Sequence, residues 1–143
     1  MGMYTELNIG VGLIPTSDVL KKLRYMLGDS DEDIEIDHPL FKTSRWDGML
    51  KSGSYYFDGQ PDSKLFVDNL YPEDPMYFLN VRCNLKNYDD EIELFLDWLN
   101  PYIYTEGFLG YKRFEGYDDP TLIYKENEEI VYKIRLNQTF VGE

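Results

Sequence analysis

Residues 4–13 alternate along the chain: Thr5, Leu7, Ile9, Val11 and Leu13 share one side, and Tyr4, Glu6, Asn8, Gly10 and Gly12 share the other. A period of two predicts a half-buried strand. Beyond Pro15 the period changes. Leu20, Leu23 and Leu27, with Val19 and Met26 beside them, form a stripe at helical spacing. Thr16 is placed to cap that helix, Asp18 suits its first turn, and Gly28 is placed to end it. The same succession returns later. Tyr77, Leu79, Val81, Cys83 and Leu85 predict an inner strand face, with Phe78, Asn80, Arg82, Asn84 and Lys86 facing out. Asn87 is the expected N-cap of a second helix with the buried stripe Ile92, Phe95, Leu96, Leu99 and Ile103, and Pro101 predicts its end.

The two successions superpose. At an offset of 72 and without a gap, Leu7, Asn8, Leu13, Asp18 and Leu27 fall on Leu79, Asn80, Leu85, Asp90 and Leu99. At an offset of 57, Phe57, Gly59, Asp62 and Leu65 fall on Phe114, Gly116, Asp119 and Leu122. After each helix the pattern predicts a hairpin: 53–58 with 64–69, and 108–115 with 121–126. Both connections are rich in Gly, Pro and Asp. A closing strand, 129–136, follows a tight Asn127-Glu128 turn, and the tail from Asn137 is expected to fray. The expected fold is α+β, with a duplicated β-α-β-β unit. Two helices cover one face of a mostly antiparallel sheet of about six or seven strands, and a pseudo-twofold relates the halves. The whole chain, 1–143, reads as a single domain, with half-units at 3–70 and 75–136.

One segment breaks the repeat. The first half carries an inserted loop at 28–50, about 15 residues longer than its counterpart. It opens with Asp29, Asp31, Glu32, Asp33, Glu35 and Asp37, and continues through His38, Phe41, Arg45, Trp46 and Met49. A loop longer than its fold requires is a candidate binding element, here with acidic charge beside the aromatic anchors Phe41 and Trp46.

Composition narrows the function classes. The 43% hydrophobic content supports a folded core. The net charge of −13 argues against direct binding to nucleic acid or an anionic membrane, and favours a partner with a basic surface. Cys83 is the sole cysteine, so no internal disulfide forms, and its strand phase places it in the core. No run of apolar residues is long enough to predict a membrane span or a signal peptide.

A search for chemistry finds little. Asp29, Asp31 and Asp33 have the spacing that opens a calcium loop, but Ile34 and Leu40 stand where Gly and Glu are required. One histidine and one cysteine give no standard zinc site, and no triad, nucleophile elbow or phosphate loop is present. The expectation is no catalytic residue, no metal and no cofactor. One constellation remains on the outward strand faces: Glu6, Asn8, Asn80, Arg82 and Asn84, a candidate ligand site on an open sheet.

The opening MGMYTEL, the stretch DHPLF…SRW…ML…SYYF over 37–57, and LNVRCNLKNYDDEIELFLDWL together resemble a group of small acidic bacteriophage and prophage proteins with no established activity. The resemblance covers most of the chain. It implies a phage accessory protein acting in the bacterial cytoplasm, and it carries over no catalytic residue. Three functions stay open. The first is a non-enzymatic protein that binds a host protein, in its sharpest form an acidic mimic of nucleic acid that inhibits a host defence or nucleic-acid-processing system. The second is a small-molecule or nucleotide binder that uses the open sheet face. The third is an oligomeric structural or regulatory protein, with a homodimer as its simplest form.

Overall fold

The computed structural model describes residues 3–54, 57, 60–116, 119–136 and 139–141. The strands are β1 (Thr5–Leu13), β2 (Lys64–Asp68), β3 (Met76–Leu85), β4 (Gly107–Phe114), β5 (Thr121–Glu126), β6 (Glu129–Leu136) and β7 (Thr139–Val141). Helix α1 (Ser17–Leu27) follows β1, and helix α2 (Glu91–Leu99) follows β3. Six strands form an open antiparallel sheet in the order β2-β3-β1-β4-β5-β6, and the short β7 pairs onto β6. The fold is α+β, as expected.

The first four strands and both helices have the connectivity of a split β-α-β arrangement, β-α-β-β-α-β, with β1 and β3 central. The core forms where the alternation predicts it. Leu7, Ile9, Val11 and Leu13 of β1 and Leu79, Val81, Cys83 and Leu85 of β3 are all buried. The apolar faces of both helices pack over them in one cluster. On α2 the predicted stripe Ile92, Phe95, Leu96 and Leu99 is buried, and Ile103, the last residue of that prediction, is buried beyond the helix in a bridge to Leu13. On α1 the stripe is rotated. Leu20 is only half-buried, and the covered positions are Val19, Lys22, Leu23, Met26 and Leu27.

Local signals explain the ends. Gly28 takes φ 81, and the amides of Gly28 and Asp29 donate to the carbonyls of Tyr25 and Arg24, closing α1 with paired C-terminal bonds. Thr16 caps α1 by position, without a side-chain bond. The expected N-cap Asn87 lies further out: Asp90, at φ 59, is the cap residue of α2, while Asn87 Oδ1 accepts from the Ile92 amide at 2.8 Å. The turn between β5 and β6 has positive φ at both Asn127 and Glu128, which matches the twist of a tight hairpin. At Gly110 (φ 152) the β4–β5 ladder shifts register, and an added Cβ would come within 2.0 Å of the Asn8 carbonyl oxygen.

The repeated unit differs from expectation. The first half contributes β-α-β, and its predicted 53–58/64–69 hairpin is not formed among the described residues; Tyr55, Tyr56, Asp58 and Gly59 of that hairpin lie outside them. The β3 edge takes both ends of the segment instead. The Ser52 carbonyl accepts from the Asn84 amide at 3.0 Å, and the Asp62 amide donates to the Arg82 carbonyl at 2.8 Å. Among the described residues β2 therefore pairs with β3, while the second half keeps its β4–β5 hairpin. Tyr117 and Asp118 of that hairpin's turn lie outside the described residues. Within the tail expected to fray, Thr139–Val141 pairs with β6, while Asn137, Gln138, Gly142 and Glu143 lie outside the described residues.

Candidate functional site

The inserted segment is built onto the helices as an additional layer. Its second part forms two 3-10 turns, Pro39–Lys42 and Trp46–Lys51, which bury Leu40, Met49 and Leu50 in the core. Polar contacts tie it to α2 and to the turn before α2. The Ser44 amide donates to Asp89 at 3.1 Å and the Arg45 amide to Glu91 at 3.2 Å, and His38 Nε2 meets Asp97 at 2.9 Å. Glu91 is fully buried, and its other carboxylate oxygen accepts from the Asp89 amide.

The first part is pinned to α1 by Lys22. Only 2% of this lysine is exposed. Its Nζ lies 4.5 Å from the centre of the Phe41 ring and 4.4 Å from that of Trp46, pairs with Asp33 at 2.7 Å, and donates to the Ile34 carbonyl. A buried ammonium requires such a set of partners, because desolvation is costly without them. Trp46 also packs against Tyr25, and Phe41 against Trp98.

The predicted partner-binding residues divide accordingly. Asp29, Asp31, Glu32 and Glu35 are exposed and make no ion pair among the described residues. Asp37 is exposed 4.0 Å from Lys42, a separation and exposure that bind little. Asp33 serves as the structural counter-ion of Lys22. Phe41 and Trp46 are half-buried and hold that lysine, so they are not free-standing anchors. Between the arm and the 3-10 turns runs an open groove of about 790 Å³, lined by Ile36, Phe41 and Trp46, by Glu35 and Asp37, and by the basic side chains Lys22, His38 and Lys42. From Asp33 to Asp37 exposure alternates, with the acids outward and Ile34 and Ile36 turned inward.

The outward-strand constellation is split in two. Asn8 is half-buried, with its Nδ2 3.4 Å from the Tyr111 hydroxyl, while Asn80 and Arg82 are exposed. Asn8 sits opposite Arg82 and Asn80 opposite Gly10, so the two asparagines lie diagonally across the Ile9–Val81 pair. Glu6 and Asn84 face each other in the ladder and are buried beside Phe57. Arg113 Nε lies 3.4 Å from Glu6, and Phe57 lies under the Arg113 guanidinium. This end of the face is therefore closed over.

Other ionisable groups are tuned structurally. Burial, and then the charge of Glu6, push the Cys83 thiol up to about 12, so it is protonated and inert at neutral pH. Burial pushes the Glu93 carboxyl up, but hydrogen bonds from Lys112 and Asn87 outweigh that and hold it below its ordinary value. Burial, with Glu93 and Asp97 nearby, raises the Tyr132 hydroxyl. Among the described residues no group of three or more His, Cys, Asp or Glu side chains is placed to hold a metal ion, and no helix is long and apolar enough to cross a membrane.

Sequence reasoning missed Lys22, although a signal was present. Val19, Lys22, Leu23 and Met26 have core spacing, so a lysine stands in an apolar stripe. Comparison with protein-family models, with curated proteins and with solved structures finds no match to this chain.

Proposed function

We propose that this chain is a non-enzymatic binding protein that engages a basic segment of a partner protein through its acidic insertion. The observation that carries the reading is the Lys22 pin. By fixing Asp33 and Ile34 to α1, it holds Glu35 and Asp37 along the groove over Ile36, Phe41 and Trp46 instead of leaving them on a free loop. A lysine or arginine of the partner fits such a groove, with its stem on Ile36 and Trp46 and its charge at the acidic rim. Preorganisation lowers the ordering cost of binding, and the net charge of −13 steers a basic surface towards the molecule. The resemblance to phage proteins supplies the setting, a host protein in the bacterial cytoplasm, and mimicry of nucleic acid is the inhibitory form of the same interaction.

The test is a tagged pull-down from bacterial lysate at stepwise salt, comparing the wild type with Glu35→Gln/Asp37→Asn. Asp33 is left intact because it is structural. A basic protein that elutes as salt rises, and that the variant fails to retain, is the expected result. Capture that depends on neither salt nor these two carboxylates would exclude the groove as the binding surface.

We propose that the two β-α-β halves are copies of one unit. The offset of 72 maps Ile9 onto Val81, and these two residues are direct ladder partners, as a local twofold between β1 and β3 requires.

A further inference from the structure

Among the described residues β2 is a sheet edge. The opposite end of the sheet carries β7, whereas β2 pairs with β3 on one side and with no described residue on the other, and its residues Phe66 and Val67 are 46% and 40% exposed. Sheet edges are commonly protected by short strands, charged side chains, proline, a bulge or a covering loop, and β2 has the first two, with its charges at its two ends. The ladder of β2 is regular from Lys64 to Asp68 and contains no proline.

The backbone phase of this edge follows from one bond. The Asp62 amide donates to the Arg82 carbonyl, and these two residues share the β2–β3 register. Hydrogen-bonded pairs recur at every second residue, so Lys64, Phe66 and Asp68 bond inward to β3. Leu65 and Val67 therefore direct their amides and carbonyls outward, away from the sheet.

We infer that two copies of this chain pair antiparallel through β2, with Leu65 of each bonding to Val67 of the other. The sequence KLFVD is self-complementary in that register. Lys64 faces Asp68 of the second copy, Asp68 faces its Lys64, and Phe66 faces Phe66 on the twofold axis. Those three contacts fall at the non-hydrogen-bonded positions, where opposed side chains approach most closely. The exposed side chains of Lys64 and Asp68 thus supply a local charge match in a molecule whose net charge of −13 otherwise opposes self-association. The interface is isologous and closes at two chains, leaving no further β2 edge to recruit a third.

Sedimentation equilibrium of the full chain at physiological salt tests this, with thermal melting used to check that each variant stays folded. The mass is expected to rise with concentration from 16.9 kDa to twice that value and stop there. Lys64→Glu alone and Asp68→Lys alone each oppose like charges and should hold the mass at one chain. Their equimolar mixture should restore the doubled mass. In the mixed pair the introduced glutamate faces the introduced lysine, and the retained Asp68 of one chain faces the retained Lys64 of the other. Val67→Pro deletes an outward amide that β3 does not use, and should also give a monomer. A monomeric wild type at every concentration, a mass that climbs past two chains, or a mixture of the two charge variants that stays monomeric would each overturn the proposal.

Discussion

Lys22 combines a core position with a charge. Its aliphatic stem continues the apolar stripe of α1, and its ammonium is satisfied by two aromatic faces, one carboxylate and one carbonyl. Asp33 keeps 41% of its side chain exposed, so water can take over its solvation if the pair is broken. The two functions of the lysine are therefore separable. Lys22→Met retains the stem, and its thioether suits the ring faces, so global stability is expected within about 1 kcal/mol of wild type. The arm, freed of its pin, should nevertheless be cleaved faster by added protease. Lys22→Ala loses the packing as well and should cost about 3 kcal/mol in denaturant unfolding. Equal protease resistance in Lys22→Met and the wild type would show that the ion pair does not hold the arm.

At the scale of elements, local signals are legible in the sequence and edge partnerships are not. The alternation of β1 and β3, the α2 stripe, Gly28 and the Asn127-Glu128 turn each depend on near neighbours, and each stands in the structure where the chain pattern puts it. β2 is recognisable as a strand, but its partner among the described residues is β3. The deciding bonds, Ser52 to Asn84 and Asp62 to Arg82, join residues far apart in sequence. The acidic arm is legible as charge, while its attachment is not, because the attachment points Asp89, Glu91 and Asp97 look like ordinary surface acids. The tie between α2 and the sheet makes a testable case of the same kind. Glu93 accepts from Lys112 of β4 and from Asn87, and Lys112 also lies 4.5 Å from the centre of the Tyr132 ring. The folded state holds the Glu93 carboxyl below its ordinary value, so the unfolded chain binds more protons as pH drops below about 4.3. The tie contributes fully above that pH and is lost as pH falls through the folded value. Glu93→Gln should destabilise by about 1 kcal/mol at neutral pH, a modest figure because the pair is partly exposed. Its unfolding curve should then converge on that of the wild type in acid. A difference that persists at low pH would assign the effect to packing instead of charge.

For the whole molecule, the 27 acidic side chains outnumber the 14 basic ones, and several bases are already committed. Lys22, Lys112, Arg113 and Lys133 each have a carboxylate partner, and Lys125 is buried against the carbonyls of Asn100 and Ile103. The acids of the arm have little internal compensation, so folding gathers like charges that the unfolded chain keeps further apart. Salt acts on the two groups unequally. It screens the exposed acids over a Debye length of about 8 Å at physiological strength, and it reaches the buried Lys22 and Lys125 contacts much less. Screening should therefore relieve repulsion more than it weakens attraction, and the melting temperature should rise between low and physiological salt. A relief on the order of 1 kcal/mol corresponds to about 3 °C in a chain of this size. Glu35→Gln/Asp37→Asn should melt higher than the wild type at low salt and show a smaller rise, because it removes two of the uncompensated charges. A melting temperature that falls as salt is added would mean that the ion pairs outweigh the repulsion, and that the acidic arm costs the fold little to maintain.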